Sequence, residues 1–272
     1  MPAYQEWMLS HRHPALYALA VNAYRLRRLA RWHLDDLARR CRLATVQCAT
    51  PLPVRIKRHQ SRLLRQLGDS EMWLQHNKVV NLAVAMVPLD GLLIAPGETF
   101  SFWRRVGRPT RAKGYVEGME LSRGVAGAGV GGGICQLGSA LHWLVLHSPL
   151  VVTERSTHSY DPFPDQARSL PYGTGCSLFY NYIDLQFYNP TSATYQLKLS
   201  LGDRFLDAEL RASEAPEYTY TVFEKDHAFV REGDTVYRQN ELWRRVSLRR
   251  TGALVREERI KRNRVRVQYQ ID

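Results

Sequence analysis

Five of the seven residues from Gly127 to Gly133 are glycine, and an apolar segment with helical spacing begins two positions later. This run constrains the fold more than any other stretch. Glycine admits backbone conformations closed to other residues and lets another group come close to the main chain. The run therefore reads as a tight turn or a cradle that leads directly into a helix. From Cys135 to His147 the pattern is helical, with Leu137, Leu141, Leu144 and Val145 on one face and Pro149 as the stop. The first N–H groups of such a helix lack intrahelical partners and carry partial positive charge. They suit an anionic ligand at the loop, or a thiolate at Cys135.

Gly127, Gly129 and Gly132 also fit GxGxxG, with Glu154 downstream where a dinucleotide fold places its acid. That motif needs an opening βαβ unit, and the strands after it read as antiparallel, so a nucleotide fold is rejected. A plainer alternative stays open, in which the glycines make a turn and Cys135 is a small buried apolar side chain.

Upstream, residues 14–43 read as one helix, with Leu16, Leu19, Tyr24, Leu29 and Trp32 recurring among Arg25, Arg27, Arg28 and Arg31. Such a basic amphipathic helix can touch an anionic membrane surface or pack on the main domain. The pattern predicts a second helix near residues 58–67 and a third from Glu71 to Met86. A turn follows at Pro88–Gly91, then short strands at Leu92–Ile94 and Thr99–Phe102 around Pro96-Gly97. Beyond the glycine run, strands are expected at Leu150–Ser156, Leu178–Asn189, Tyr195–Leu201 and Arg204–Arg211, the last two joined by Gly202-Asp203. Residues 217–272 alternate apolar with charged positions and read as exposed hairpins.

The expected class is α+β: N-terminal helices (residues 1–76), a central mixed domain whose glycine-rich loop leads into a helix packed on an antiparallel sheet (77–214), and C-terminal β-hairpins (215–272). Lys and Arg number 38 against 26 Asp and Glu, a net charge of +12. That balance suits an anionic partner, but no nucleic-acid motif accompanies it, so nucleic acid is not expected. Cys41, Cys48, Cys135 and Cys176 form no CxxC pair and no zinc spacing, so neither metal nor cofactor is expected, and free thiols in a reducing compartment are. The N-terminus lacks the pattern of a signal peptide. The expected location is cytoplasmic or at the inner membrane face, where cell-wall precursors are available.

If Cys135 is a nucleophile, it needs a base and an orienting acid. His142 lies too far along the same helix, and His147 sits at its end. His158 follows the strand Leu150–Ser156, which can return toward the helix N-terminus. In the next strand, alternation places Asp184 with Tyr182 and Gln186, opposite Ile183, Leu185 and Phe187. This order of elements parallels cysteine-dependent acyl transferases and hydrolases. The rival class is a non-catalytic module in which Gly131, Gly132, Gly133, Gln136, Ser139 and Arg155 hold an anionic group, with Arg104 and Arg105 adding charge.

Several ordered motifs resemble those of the VanW family. They are Asn81-Leu82, then Leu89-Asp-Gly-Leu-Leu-Ile-Ala-Pro-Gly-Glu-Thr-Phe-Ser-Phe102, then Gly131-Gly-Gly-Ile-Cys-Gln136 with Ser139 and Leu141. Glu154-Arg155 with His158-Ser159 follows, and Asp184-Leu185 with Asn189 closes the series. Together they cover about residues 77–211. The resemblance implies a link to glycopeptide resistance or cell-envelope biology and fixes no reaction; acyl or peptidyl chemistry on a cell-wall-type peptide is what the helix-leading Cys135 and the order of elements suggest. The family commonly has an Asp where this chain has Gly175, which would leave Asp184 or Asp165 to substitute.

Overall fold

The computed structural model describes residues 14–38, 41–65, 71–122, 125–157, 160–161, 163–164 and 170–271. His158, Ser159 and Asp165 lie outside the described residues.

The first helix among the described residues, α1 (Pro14–Leu37), is shorter than the sequence suggests, and a two-residue strand β1 (Arg42–Leu43) follows it. The helix expected at 58–67 is instead a strand, β2 (Val54–Arg62). Its burial largely alternates because successive side chains face opposite sides of the sheet and one side is packed. It pairs antiparallel along β11 (Phe205–Ala212), whose inward Leu206, Ala208, Leu210 and Ala212 form the apolar face of the pair. Charged residues on the other face of β2 conceal the period-two pattern from a helical reading. The helix expected from Glu71 is α2 (Met72–Met86).

β3 (Leu93–Ile94) and β4 (Glu98–Ser101) flank the Pro96-Gly97 turn but join different sheets. A short helix α3 (Phe102–Val106) follows. The glycine-rich region is a two-stranded hairpin of β5 (Glu117–Ser122) and β6 (Val125–Val130), which excludes a parallel βαβ unit there. β6 feeds α4 (Cys135–Leu146), whose Leu137, Leu141, Leu144 and Val145 are all in the main core, as their spacing predicts.

β7 (Val151–Glu154), β8 (Tyr160–Asp161), β9 (Gln186–Tyr188) and β10 (Tyr195–Leu201) come next. One four-stranded sheet has the order β2-β11-β10-β3, antiparallel throughout, and α4 packs on its β2 and β11 strands. A second has the order β1-β4-β9-β7, with Phe100 stacked on Phe187 at 4.4 Å. Only Gln186–Tyr188 of the expected strand Leu178–Asn189 is strand; a turn at 180–182, with Phe179 and Ile183 bridged and Asn181 at φ 55°, breaks the alternation, and Asp184 and Leu185 are both buried instead of facing opposite ways.

The C-terminal strands β12 (Tyr218–Glu232), β13 (Thr235–Leu248) and β14 (Leu254–Val267) form a meander to which β8 adds a parallel edge. They are not wholly exposed. Leu242 and Val246 are fully buried, and Val222 packs with Trp143 and Leu146 of α4.

Candidate functional site

The Gly131–Gly133 end of the glycine run is closed by protein atoms. Gly131 and Gly133 have φ of 84° and 89°, a region in which other residues are strained. A Cβ on Gly132 would lie 2.1 Å from the Gly118 carbonyl oxygen of β5, and one on Gly133 would lie 2.2 Å from the Lys78 side chain of α2. Asn81, fully buried on α2, ties the loop down. Its Nδ2 donates to the carbonyls of Gly132 (2.9 Å) and Val116 (3.0 Å), and its Oδ1 accepts from the Val116 N–H (2.9 Å). The glycines thus let β5 and α2 approach the backbone. The first turn of α4 is equally occupied. Gln136 N–H donates to Gly133, while the N–H groups of Leu137 and Gly138 donate to Ile134.

The helix that begins there grips an extended segment. Cys135, Ser139 and His142 stand at i, i+4 and i+7 on one face of α4. Leu178 N–H donates to Cys135 Sγ (3.3 Å), Cys176 N–H donates to Ser139 Oγ (2.9 Å), and His142 Nδ1–H donates to the Thr174 carbonyl (2.8 Å). The helical steps of four and three residues rise about 6 Å and about 4.5 Å, against about 6.6 Å for each pair of extended residues, close enough for every second residue of the segment to meet the next side chain on that face. Even-numbered residues therefore turn their backbone groups toward α4, and odd-numbered ones turn away. Arg155 takes that other edge, donating to the carbonyls of Gly173 and Gly175, and Ser177 N–H donates to Ser156. Gly138 allows the close approach: a Cβ there would sit 2.7 Å from Leu178 Cδ1.

The expectation of a thiol that ionises readily meets an opposing effect. Burial pushes the Cys135 thiol up, and the Leu178 N–H only partly offsets it. The N–H groups of Gln136, Leu137 and Gly138 are already paired, and the N–H of Cys135 itself, which also favours the thiolate, is likewise outweighed by burial. Burial pushes the Cys176 thiol up as well. All four cysteines are free thiols.

Asp184 belongs to a different hydrogen-bond system. Its carboxylate accepts from Ser101 Oγ (2.6 Å), Gln186 Nε2 (3.0 Å) and the N–H groups of Leu185 (2.9 Å) and Trp103 (3.1 Å). It caps α3 and fixes the turn before β9. Burial raises its pKa against those hydrogen bonds. The Asp184 N–H donates to Glu154 Oε1, which also accepts from Arg28 of α1. The structure therefore brings Cys135, Ser139 and Arg155 to one segment and places Asp184 in another network. Gln136 donates to Ser61 Oγ and the Arg62 carbonyl, pinning α4 to the end of β2.

Lys261 of β14, far along the chain, escaped sequence reasoning because it sits in a strand crowded with arginines. Its ammonium donates to Thr157 Oγ1 (3.0 Å), and its pKa falls to about 8 through burial and the nearby Arg155 charge. Arg155 also helps lower His142 to about 3, although burial is the larger cause. Neither Arg155 nor Lys261 pairs with a carboxylate among the described residues. A Cβ on Gly175 would meet only Ser139 Oγ, at 3.7 Å, so the position has room for a side chain. No cluster of His, Cys, Asp and Glu suited to a metal ion occurs among the described residues.

The family model for VanW like protein matches residues 77–211. The chain is 33% identical over 199 residues to the vancomycin B-type resistance protein VanW of Enterococcus faecalis, covering 73% of this chain and 72% of that protein. It is also 34% identical over 112 residues to the uncharacterized protein YoaR of Bacillus subtilis, a match that spans 40% of this chain and 34% of YoaR. No solved structure matches. The chain belongs to the VanW family.

Proposed function

We propose that this VanW family chain serves glycopeptide resistance at the cell envelope as a binding protein, holding an anionic group such as the carboxylate of a cell-wall-type peptide. One observation carries the reading. Arg155 and Lys261 lie close enough for their charges to interact, both are partly buried, and neither has a carboxylate partner among the described residues. Like charges held together out of water are costly unless something of opposite sign joins them. Ser139 and the space at Gly175 lie beside Arg155, where a ligand oxygen would find donors. In this reading Gly131, Gly132, Gly133 and Gln136 position α4 and do not touch the ligand.

The thiol reading stands second. It makes Cys135 the nucleophile, His158 its base and Asp184 the orienting acid, and it draws on the place of Cys135 at the first residue of α4. The raised thiol pKa and the four donors already on Asp184 speak against it.

The test is calorimetric titration with an N-acetylated dipeptide bearing a free terminal carboxylate, and with its terminal amide. Binding is expected for the acid alone and should weaken as salt rises. Lys261→Met, which leaves the α4 contacts intact, should lose at least about tenfold in affinity, the cost of one charge-assisted hydrogen bond. Cys135→Ala should bind as the wild type does. Equal affinity for acid and amide, or no loss in Lys261→Met, refutes the reading. Turnover of the peptide that disappears in Cys135→Ser would replace it with the thiol mechanism.

A further inference from the structure

Helix α1 is mounted with its leucines outward. Val21, Arg25, Arg28, Trp32 and Asp35 are the residues it turns toward the protein, and the contacts there are largely polar or ionic. Arg28 pairs with Glu154 at 2.6 Å, Arg25 stacks over Phe179 and Arg104 stacks over Trp32. Tyr24 meets the edge of Tyr182. The other side carries Leu16, Leu19, Ala23, Leu26, Ala30, Leu34 and Leu37. Their leucines are 53%, 65%, 67%, 62% and 82% exposed in that order. At 100° per residue the seven fall within about 80° of arc, roughly opposite Val21 and Trp32. A continuous apolar stripe of this length on an exposed helix marks a surface that something covers.

We infer that α1 lies on an anionic membrane surface, with its leucine stripe in the acyl boundary and Arg27 and Arg31 at the headgroups. Two observations select this occupant. Arg27 and Arg31 are exposed along one border of the stripe, and the chain carries +12 overall, so an anionic sheet attracts it. A second copy of the same helix would set those arginines against their own kind, and would place His33 and Ala30 in the seam where larger apolar residues give stability. No helix among the described residues is long and apolar enough to cross a membrane, so the surface is the place for α1. The inference is independent of the Arg155–Lys261 site.

The experiment is cosedimentation of the full chain with phosphatidylglycerol–phosphatidylcholine vesicles and with phosphatidylcholine vesicles, at low and high salt, alongside sedimentation velocity without lipid. The wild type should bind the anionic vesicles, bind the neutral ones weakly, and release as salt rises. Leu19→Glu/Leu26→Glu changes only exposed positions and should weaken partitioning at least about tenfold, since two apolar contacts are lost and two charges gained. Arg27→Gln/Arg31→Gln should weaken binding to anionic vesicles only. Failure of the wild type to bind anionic vesicles, or undiminished binding by the leucine variant, overturns the inference. So does binding that ignores lipid charge. A dimer that dissociates in the leucine variant without vesicle binding would hand the stripe to a second copy.

Discussion

Acid should loosen the grip of α4 on its extended segment before it affects most of the molecule. His142 and His147 are buried and neutral, with pKa values lowered to about 3 and about 4, chiefly by burial. In the unfolded chain both return to about 6.5. The folded pKa is the lower one, so neither residue affects stability above about pH 6.5, where both states are neutral. As pH falls below that, the unfolded state takes up protons that the folded state refuses, and stability is lost until the pH reaches the folded pKa. Each histidine then removes about 1.4 kcal/mol for every pH unit. Between pH 6.5 and 5 the pair together costs about 3 kcal/mol, a large part of a typical domain stability. Urea denaturation at intervals from pH 7 to 5 measures this directly. His142→Gln keeps a donor for the Thr174 carbonyl and should roughly halve the slope. A stability that stays flat from pH 6.5 to 5 in the wild type, or an unchanged slope in His142→Gln, would show that these imidazoles are hydrated and that the grip is not dry.

Three further outcomes follow from the same contacts. Gly132→Ala should lower the melting temperature by an amount equivalent to at least about 2 kcal/mol, because rigid Gly118 backbone blocks the new methyl group, whereas Gly127→Ala, with open space around it, should be nearly neutral. Alkylation of Cys135, followed by mass spectrometry as pH rises, should begin only above the ordinary thiol range, and alkylation that begins below it would refute the raised pKa. Asp184→Asn should cost about 1–3 kcal/mol, because an amide nitrogen must then face one of the N–H donors that now point at a carboxylate, and chemical denaturation will register it.

The elements legible in the sequence are those whose signal is local. The apolar face of α4, the helix at Met72–Met86 and the β10–β11 hairpin around Gly202-Asp203 each carry their period and punctuation within a single stretch. The family motifs were equally plain, since they are strings of residues. β2 is not legible in its own residues, because its assignment depends on β11 and its charged face hides the alternation. The segment before β9 is equally illegible, because Asp184 is placed by Ser101 and Trp103, which come from another part of the chain.

At the glycine run the division is sharpest. By itself the sequence dictated that a turn must lie there, that a helix must follow, and that Cys135 must open that helix. Whether the loop would be an open cradle or a packed seam, and whether the thiol would be activated or engaged, was decided only when α2, β5 and residues 173–178 closed around it. The reason is that those decisions rest on backbone N–H and carbonyl groups, which are chemically the same at every residue and leave no mark in the sequence. Which of them meets Cys135, Ser139, His142 or Arg155 depends on how distant segments are brought into register.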